Sequence, residues 1–237
     1  MEMRNFKDIH LGGRAFLIAG GPSLGDIDLS KLENELIYSV SLTYKVGLPH
    51  IDYHFIGDKN IVKQFASEVS DIPTRHLFVS KGIYDTGLVN HPNMYYFTGH
   101  GKRRFHGDIT GRIYGGGTST FLAMQYAFHM GISTLFIVGL DHSWNLENTK
   151  GTGKIQGGKE LLETVGQDLN HFGSEYYPDG VQWFDPNTEK MAEAYGWARE
   201  AYEADGRLLL NASTRTELPE SVIPRVSYKD IWNDRSS

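Results

Sequence analysis

Two glycine-rich turns in the sequence could bind the phosphates of a nucleotide. The first follows a short apolar run and reads Gly20, Gly21, Pro22 and Ser23. Glycine allows a tight turn and a close approach to a ligand, and proline suits the first position of a helix, whose free N–H groups attract anions. The turn matches neither the G-x-G-x-x-G pattern nor the Walker pattern. It is therefore equally consistent with an ordinary strand-to-helix connection.

The second glycine-rich turn precedes a predicted helix with an apolar face. Gly115, Gly116 and Gly117 are followed by Thr118 and Ser119, either of which could cap that helix. A flexible hinge followed by an N-cap would have the same composition. Both turns should lie at the carboxyl ends of strands, where open α/β sheets bind their ligands. Two such turns at one sheet edge favour a nucleotide-binding site.

Acidic residues and histidines that follow predicted strands could act on a bound substrate. Asp58 and Asp141 each come after an apolar strand and a glycine, and His142 follows directly. Such carboxylates could bind ribose or sugar hydroxyls or, if a metal is used, hold Mg²⁺. His171 lies in a polar stretch, where a histidine can act as a general base near neutral pH. A surface position is the alternative, since the chain has 10 histidines.

A concentration of basic residues precedes the second glycine-rich turn. It comprises Lys102, Arg103, Arg104 and Arg112. An arginine can contact a phosphate or a carboxylate through two parallel hydrogen bonds. Arg112 is therefore a candidate for stabilising the charge on a departing phosphate, and a solvated loop face is the alternative.

The composition of the 237 residues excludes several classes of function. Acidic residues outnumber basic ones by 29 to 23, whereas a non-specific nucleic-acid binder normally carries a basic excess. The chain has no cysteine, which rules out disulfides, thiolate zinc sites and cysteine nucleophiles. No apolar run approaches the roughly 18 residues of a membrane helix, and the N-terminus lacks the apolar region of a signal peptide. We expect a cytoplasmic protein with no integral membrane segment and no nucleic-acid partner.

The elements that must position these residues alternate between strands and helices. This order predicts an α/β fold in which a mostly parallel sheet carries helices on both faces. The predicted strands are 14–20, 36–41, 53–56, 75–79, 94–97, 134–138 and 207–210, and the predicted helices are 60–69, 118–130 and 188–204. Residues 142–185 break the alternation and are rich in Gly, Asn, Asp and Lys. We interpret them as a lid-like insertion within a single domain spanning 1–237, with local disorder as the alternative.

Three motifs together resemble the MptE-like domain family. They are the stretch from Phe16 to Asp28 with its Gly-Gly-Pro-Ser-Leu-Gly core, the strand end Val138-Gly-Leu-Asp-His-Ser, and the stretch Asp168-Leu-Asn-His-Phe. The family takes its name from an archaeal 6-hydroxymethyl-dihydropterin diphosphokinase, and its bacterial members often accompany glycan-synthesis genes. The same order of motifs is similar to the CMP-sialic acid-dependent sialyltransferases of bacterial lipooligosaccharide synthesis. The resemblance covers residues 14–212 and implies a Rossmann-like three-layer sandwich with a CMP-sugar site.

The chain departs from the sialyltransferase pattern at functional positions. The sialyltransferase turn carries an asparagine between two glycines that are adjacent here. Ser41 takes the place of a second nucleotide-contacting asparagine, and the sialyltransferase arginine before the long helix falls among the glycines downstream of Arg112. The sialyltransferase catalytic histidine is the second of an H-x-x-x-H pair, of which His171 matches the first and Glu175 stands at the second. The resemblance therefore implies His171 or Glu175 as the catalytic base.

Three functions remain open. The leading hypothesis is a glycosyltransferase-like enzyme that uses a nucleotide-activated sugar, with CMP as the nucleotide and a glycan or small molecule as the acceptor. The second is an ATP- and Mg²⁺-dependent 6-hydroxymethylpterin diphosphokinase, with Asp58 and Asp141 on the metal. The third is a catalytically silent protein that binds nucleotides or glycans. The chain is also a candidate for forming a homo-oligomer, because soluble enzymes commonly do so. The residues expected to bind the donor are Gly20, Gly21, Pro22, Ser23, Ser41, Asp58, Gly116, Gly117, Thr118, Ser119, Asp141 and His142.

Overall fold

The computed structural model describes residues 2–156, 158–173 and 175–235, and its central feature is a seven-stranded parallel sheet. The strands of this sheet are β1 Arg14–Ile18, β2 Leu36–Val40, β3 Ile51–Ile56, β4 Thr74–Ser80, β5 Met94–Phe97, β6 Thr134–Val138 and β10 Leu208–Asn211. The α-helices are α1 Lys59–Ser70, α2 Lys81–Tyr84, α3 Ser119–His129 and α4 Thr188–Ala204. A second, antiparallel sheet consists of β7 Thr149–Gln156, β8 Lys159–Thr164 and β9 Gln182–Phe184.

The large sheet is buried on both faces, which is the usual condition of a parallel sheet. In β1, Ala15 and Leu17 belong to one apolar cluster and Phe16 and Ile18 to a second, because successive side chains of a strand point to opposite faces. Buried side chains of α3 and α4 complete the first cluster, and those of α1 complete the second. The chain therefore forms the three-layer α/β sandwich that the alternation of elements predicts.

The strand order creates a crevice beside β1. The order is β10-β6-β1-β2-β3-β4-β5, so β1 pairs with β2 on one side and with β6 on the other. The chain leaves β1 toward one edge of the sheet and later returns to its opposite side. Open α/β sheets bind ligands at such a reversal, outside the carboxyl ends of the strands. Residues 19–21 and 139–141 lie there.

The predicted elements of the large sheet and its main helices all occur, with ends that differ by no more than two residues. The helix expected to begin at Pro22 is only a 3-10 helix, Pro22–Asp26. Gly25 lies inside it, and glycine is a poor helix former, so a longer helix is not favoured. Within the described ranges, no helix is both long and apolar enough to span a lipid bilayer.

Residues 142–185 contain the small antiparallel sheet. The composition of this segment does not indicate that it contains strands. Strand β7 is rich in glycine and lysine and mostly exposed, so it lacks the alternation that identifies strands. Strand β9 is attached to α1 through Gln182. The side chains of Asn60 and Gln64 donate to the Gln182 carbonyl at 2.6 and 2.7 Å, and the Gln182 N–H donates to Gln64 Oε1 at 2.9 Å. The small sheet is thereby held beside the large one.

Candidate functional site

A cleft of about 510 Å³ opens at the carboxyl edge of the large sheet, beside β1. Its floor comes from the ends of β1, β2, β3 and β6, one wall from the start of α3, and the opposite wall from the segment that contains the small sheet. The residues singled out from the sequence that line the cleft are Gly20, Gly21, Ser41, Asp58, Gly115, Gly117, Thr118, Ser119, Asp141, His142 and His171. Those that do not line it are Pro22, Ser23, Lys102, Arg103, Arg104, Arg112, Gly116 and Glu175.

The first glycine-rich turn is fastened to the end of β6. The Gly21 N–H donates to the Gly139 carbonyl at 2.8 Å, and the Ser23 N–H donates to Asp141 Oδ2 at 2.8 Å. The Ser23 hydroxyl also donates to Asp141 Oδ1. Burial raises the pKa of Asp141, and the two hydrogen bonds from Ser23 oppose that shift. Because the N–H groups of Gly21 and Ser23 are already paired, and Pro22 has none, these three residues offer no free N–H group to an anion.

Close packing requires both glycines of the first turn. A β-carbon on Gly21 would lie 2.5 Å from the Gly139 carbonyl oxygen, and a β-carbon on Gly20 would lie 2.7 Å from the Tyr176 hydroxyl. The Gly20 carbonyl also accepts a hydrogen bond from the Phe172 N–H at 2.9 Å. The floor and the opposite wall of the cleft therefore meet at these two residues.

The second glycine-rich turn brings the start of α3 to the cleft. Gly116 and Gly117 have φ angles of +61° and +83°, which only glycine adopts at little cost. A β-carbon on Gly116 would lie 2.5 Å from the Phe121 ring. Thr118 caps α3, since its hydroxyl accepts from the Thr120 N–H at 3.2 Å. The partial positive charge of a helix N-terminus therefore faces the cleft.

Hydrogen bonds to Asp58 and Ser119 connect the end of β3 with the first turns of α1 and α3. Asp58 Oδ1 accepts from the N–H groups of Asn60 and Ile61 at 2.7 and 3.4 Å, and so caps α1. Ser119 Oγ accepts from the Gly57 N–H at 3.2 Å. Burial raises the pKa of Asp58, and the hydrogen bonds from Asn60 and Ile61 oppose the shift.

The two carboxylates in the cleft both accept hydrogen bonds from the protein backbone. Asp58 holds the first turn of α1, and Asp141 holds Ser23, so both carboxylates already accept hydrogen bonds from the protein. In the part of the chain that the structure describes, no group of three or more histidine or acidic side chains is placed to hold a metal ion. The described residues therefore provide no specific observation for a Mg²⁺ ion on Asp58 and Asp141.

Ser41 has a left-handed backbone conformation, and its carbonyl group is hydrogen-bonded to a buried histidine. Its φ angle is +56°, in the left-handed region. His54 Nε2 lies 2.9 Å from the Ser41 carbonyl oxygen, and His54 Nδ1 lies 2.6 Å from Ser39 Oγ. Burial lowers the pKa of His54 to about 3, so the ring is neutral at physiological pH. Nε2 must carry the proton because a carbonyl only accepts, and Nδ1 then accepts from the Ser39 hydroxyl.

His171 is paired with a buried carboxylate. Its Nδ1 lies 2.8 Å from Oδ2 of Asp168. Asp168 is 6% exposed, and its other oxygen, Oδ1, accepts from the Asn170 N–H at 2.8 Å. The imidazole stacks on Tyr176, with ring centroids 4.1 Å apart and an interplanar angle of 3°. The carboxylate fixes the proton on Nδ1 and leaves Nε2 for a group in the cleft. A histidine oriented in this way can accept a proton and be stabilised as imidazolium.

The wall around His171 is aromatic. Trp144 presents its ring edge-on to His171, with centroids 5.6 Å apart, and stacks on Trp183 at 5.6 Å. Tyr177 also stacks on Trp183, with ring centroids 5.9 Å apart.

His142, elsewhere on the cleft, has a φ angle of +54° and a buried Nδ1 atom with no hydrogen-bond partner among the described residues. Burial lowers the pKa of His142.

Arg112 and Glu175 lie away from the cleft. Arg112 is exposed and forms an isolated bridge with Thr98, which directs this segment along the edge of the large sheet. The side chain of Glu175 is exposed, and its carbonyl accepts from Lys45 Nζ at 3.2 Å. Of the two proposed bases, only His171 lines the cleft.

Comparisons with known proteins identify the fold. No family model matches the chain, so the resemblance to the MptE-like family has no support from this source, and no curated protein matches it. The structure is similar to that of the Maf glycosyltransferase from Magnetospirillum magneticum AMB-1, with a TM-score of 0.60 and 15% identity. That match covers 97% of this chain and 38% of the other. The sialyltransferase CstII from Campylobacter jejuni in complex with cytidine-5'-monophosphate aligns with a TM-score of 0.45 and 14% identity, over 89% and 87% of the two chains. At such identities the likeness to the glycosyltransferase concerns the fold.

Proposed function

We propose that this chain transfers a sugar from a nucleotide-activated donor, of the CMP-sugar class, to a hydroxyl group of an acceptor in surface glycan synthesis. The observation that carries the proposal is the pairing of His171 with buried Asp168 in the wall of a cleft at the carboxyl edge of the sheet. The fold shared with the Maf glycosyltransferase supports it. The match spans 38% of the Maf chain. We therefore extend the activity of that whole protein to this chain only as a proposal.

His171 would act as the general base. Nε2 takes the proton of the acceptor hydroxyl while the acceptor oxygen forms a bond to the anomeric carbon of the sugar. The bond from that carbon to the phosphate oxygen breaks, and the nucleoside monophosphate leaves with the electron pair. Asp168 stabilises the imidazolium that forms, and general-base help of this kind is typically worth about 10²–10⁴-fold in rate.

The donor would lie along the cleft floor. Gly20, Gly21 and Ser41 line this floor at the ends of β1 and β2. The start of α3 offers the partial positive charge of its N-terminus to the phosphate. His142 has an unpaired, buried Nδ1 atom that a donor hydroxyl could satisfy. Asp58 and Asp141 have the secondary role of holding the helix start and the turn that shape this floor.

A transfer assay with matched variants tests the proposal. The protein is incubated with CMP-, UDP- and GDP-sugars and a panel of glycan and small-molecule acceptors, and both nucleotide release and the new glycoside are measured. We expect product from a CMP-sugar, about 10²–10⁴-fold less from His171→Ala, and wild-type rates from His106→Ala, whose side chain lies outside the cleft.

Three results would contradict the proposal. Equal rates for wild type and His171→Ala would remove His171 as the base. Transfer of diphosphate from ATP to a hydroxymethylpterin, abolished by EDTA, would favour the diphosphokinase. The carboxylates of the cleft provide no specific observation for that function. Recovery of every donor intact after long incubation would favour a binding protein without catalytic activity.

A further inference from the structure

Among the described residues, two lysines with no ion-pair partner lie in the cleft or beside it. Lys159, at the start of β8, lines the cleft and is half-buried. Lys190, in the first turn of α4, passes over the second glycine-rich turn, where its Cδ lies 4.0 Å from the β-carbon position of Gly117. Among the ion pairs of the described residues, neither lysine takes part.

The ammonium group of Lys190 is close enough to Lys159 to act on it electrostatically, and it lies over the Tyr114 ring, 5.8 Å from the ring centroid. Burial and the charge of Lys190 together lower the pKa of Lys159. Asp58 and Asp185 attract Lys159, but their effect is smaller than that of burial. Asp58 is itself occupied by the N–H groups at the start of α1. The protein therefore holds Lys159 in a place that its own carboxylates do not neutralise.

An anionic ligand would remove this unfavourable arrangement. Partly buried charges are normally paired, and an ammonium binds phosphate or carboxylate oxygens through charge-assisted hydrogen bonds. Gly117 leaves open space below Lys190, because no atom of the described residues outside its chain neighbours lies nearer to its β-carbon position than Lys190 Cδ, at 4.0 Å. Arg112, the expected partner of the phosphate, is exposed and outside the cleft.

We propose that Lys159 and Lys190 form an anion-binding subsite that receives the negatively charged group of the donor. The chemistry is that of an oxyanion, supplied either by the phosphate of the nucleotide or by the carboxylate of an acidic sugar. The assignment to the donor rests on the proposed transferase function, whereas the presence of the subsite does not. Its two residues come from different elements, β8 and α4, so donor binding would join the small sheet to the long helix.

Direct observation of the lysines tests the subsite without any turnover. The lysines are dimethylated with ¹³C-formaldehyde, which preserves their charge, and are followed by NMR. The signal of Lys159 is identified by its loss in Lys159→Arg. The probes are inorganic pyrophosphate and N-acetylneuraminate, and sodium chloride at equal ionic strength is the reference. We expect a saturable shift of the Lys159 signal with one or both probes and none with chloride.

Charge-removing variants show whether the two lysines act together. Lys190→Gln should weaken binding of the probe roughly tenfold, the effect of one charge-assisted hydrogen bond. Lys154→Gln is the matched control, because Lys154 is an exposed lysine of the same small sheet and does not line the cleft. Its binding should equal that of the wild type. Circular dichroism confirms that each variant is folded.

The possible results distinguish a failure of the anion-binding subsite from a failure of the proposed transferase activity. A response to pyrophosphate alone assigns the subsite to the donor phosphate, and a response to N-acetylneuraminate alone assigns it to the sugar carboxylate. No saturable shift with either probe overturns the subsite, and so does equal weakening by Lys154→Gln and Lys190→Gln. Anion binding without sugar transfer from any donor would instead overturn the proposed function and leave the subsite standing.

Discussion

Replacing Asp168 with asparagine isolates the role of the carboxylate beside His171. The asparagine has the same shape, and its oxygen can still accept from the Asn170 N–H. Its amide nitrogen, however, would meet His171 Nδ1 at the position now held by Oδ2, 2.8 Å away. Two donors cannot face each other, so Nδ1 must accept and the ring proton moves to Nε2. The nitrogen that faces the cleft would then carry a proton and could not act as a base.

The expected loss follows from the loss of general-base catalysis. We expect kcat to fall by about 10²–10⁴-fold, or about 3–5 kcal/mol in activation free energy, with little change in KM for the donor. The fold should survive, because the exchange of one buried hydrogen bond costs about 1 kcal/mol. Thermal unfolding of the variant checks this, and single-turnover sugar transfer measures the chemical step without product release.

An exposed carboxylate provides the control for this variant. Asp71 ends α1 at the surface, outside the cleft, so Asp71→Asn changes the net charge equally without touching His171. It should transfer sugar at the wild-type rate. The reasoning is refuted if folded Asp168→Asn keeps a kcat within about threefold of the wild type, since the carboxylate would then contribute under 1 kcal/mol to the reaction.

Three further predictions follow from the packing of the cleft. Gly21→Ala should lower the free energy of unfolding by about 1–3 kcal/mol in urea titrations, because its β-carbon would lie 2.5 Å from a carbonyl oxygen, whereas Gly82→Ala, with open space around it, should not. A smaller effect at Gly21 than at Gly82 would contradict the close contact. His54 has a folded pKa of about 3 against 6.5 when unfolded, so its contribution to stability is complete above pH 6.5 and decreases toward pH 3. Urea titrations should show a loss of about 3 kcal/mol from this residue by pH 4.5, and His54→Gln should have a correspondingly weaker pH dependence; identical slopes would refute the assignment. Trp144→Ala should raise the acceptor KM by about 3- to 10-fold while Trp144→Phe largely restores it, because a ring beside His171 can stack on a sugar or aromatic acceptor. Unchanged acceptor kinetics in Trp144→Ala would place the acceptor elsewhere.

The large sheet could be predicted because its signals are local. Each strand is a short apolar run, and a helix or turn of distinct composition follows it. The run that includes β1, for example, ends at Gly20, where the cleft begins. The topology then brings strand ends together at one edge, which is why Ser41, Asp58 and Asp141 were found in the same cleft. Strand β7 was missed because exposed glycines and lysines carry no periodic pattern.

The site was harder to predict where one residue acts through another. The spacing of Asp168 and His171 was visible, but the burial of Asp168 and its hydrogen bond were not. His54 looks like any residue of a buried strand until its ring is seen to hold the Ser41 carbonyl. Lys159 reaches the cleft only because the small sheet folds over it, whereas Arg112 is close to the second turn in sequence and outside the cleft in space.

The attachment of the small sheet has a consequence for how such proteins can diverge. The sheet is held to α1 at one side, through Gln182, and among the described strands β7 pairs only with β8 at the other. Residues could be inserted or lost around β7 while the pairing of His171 with Asp168 stays intact. Related chains could therefore differ in this peripheral sheet while the histidine–carboxylate pair beside the large sheet is kept.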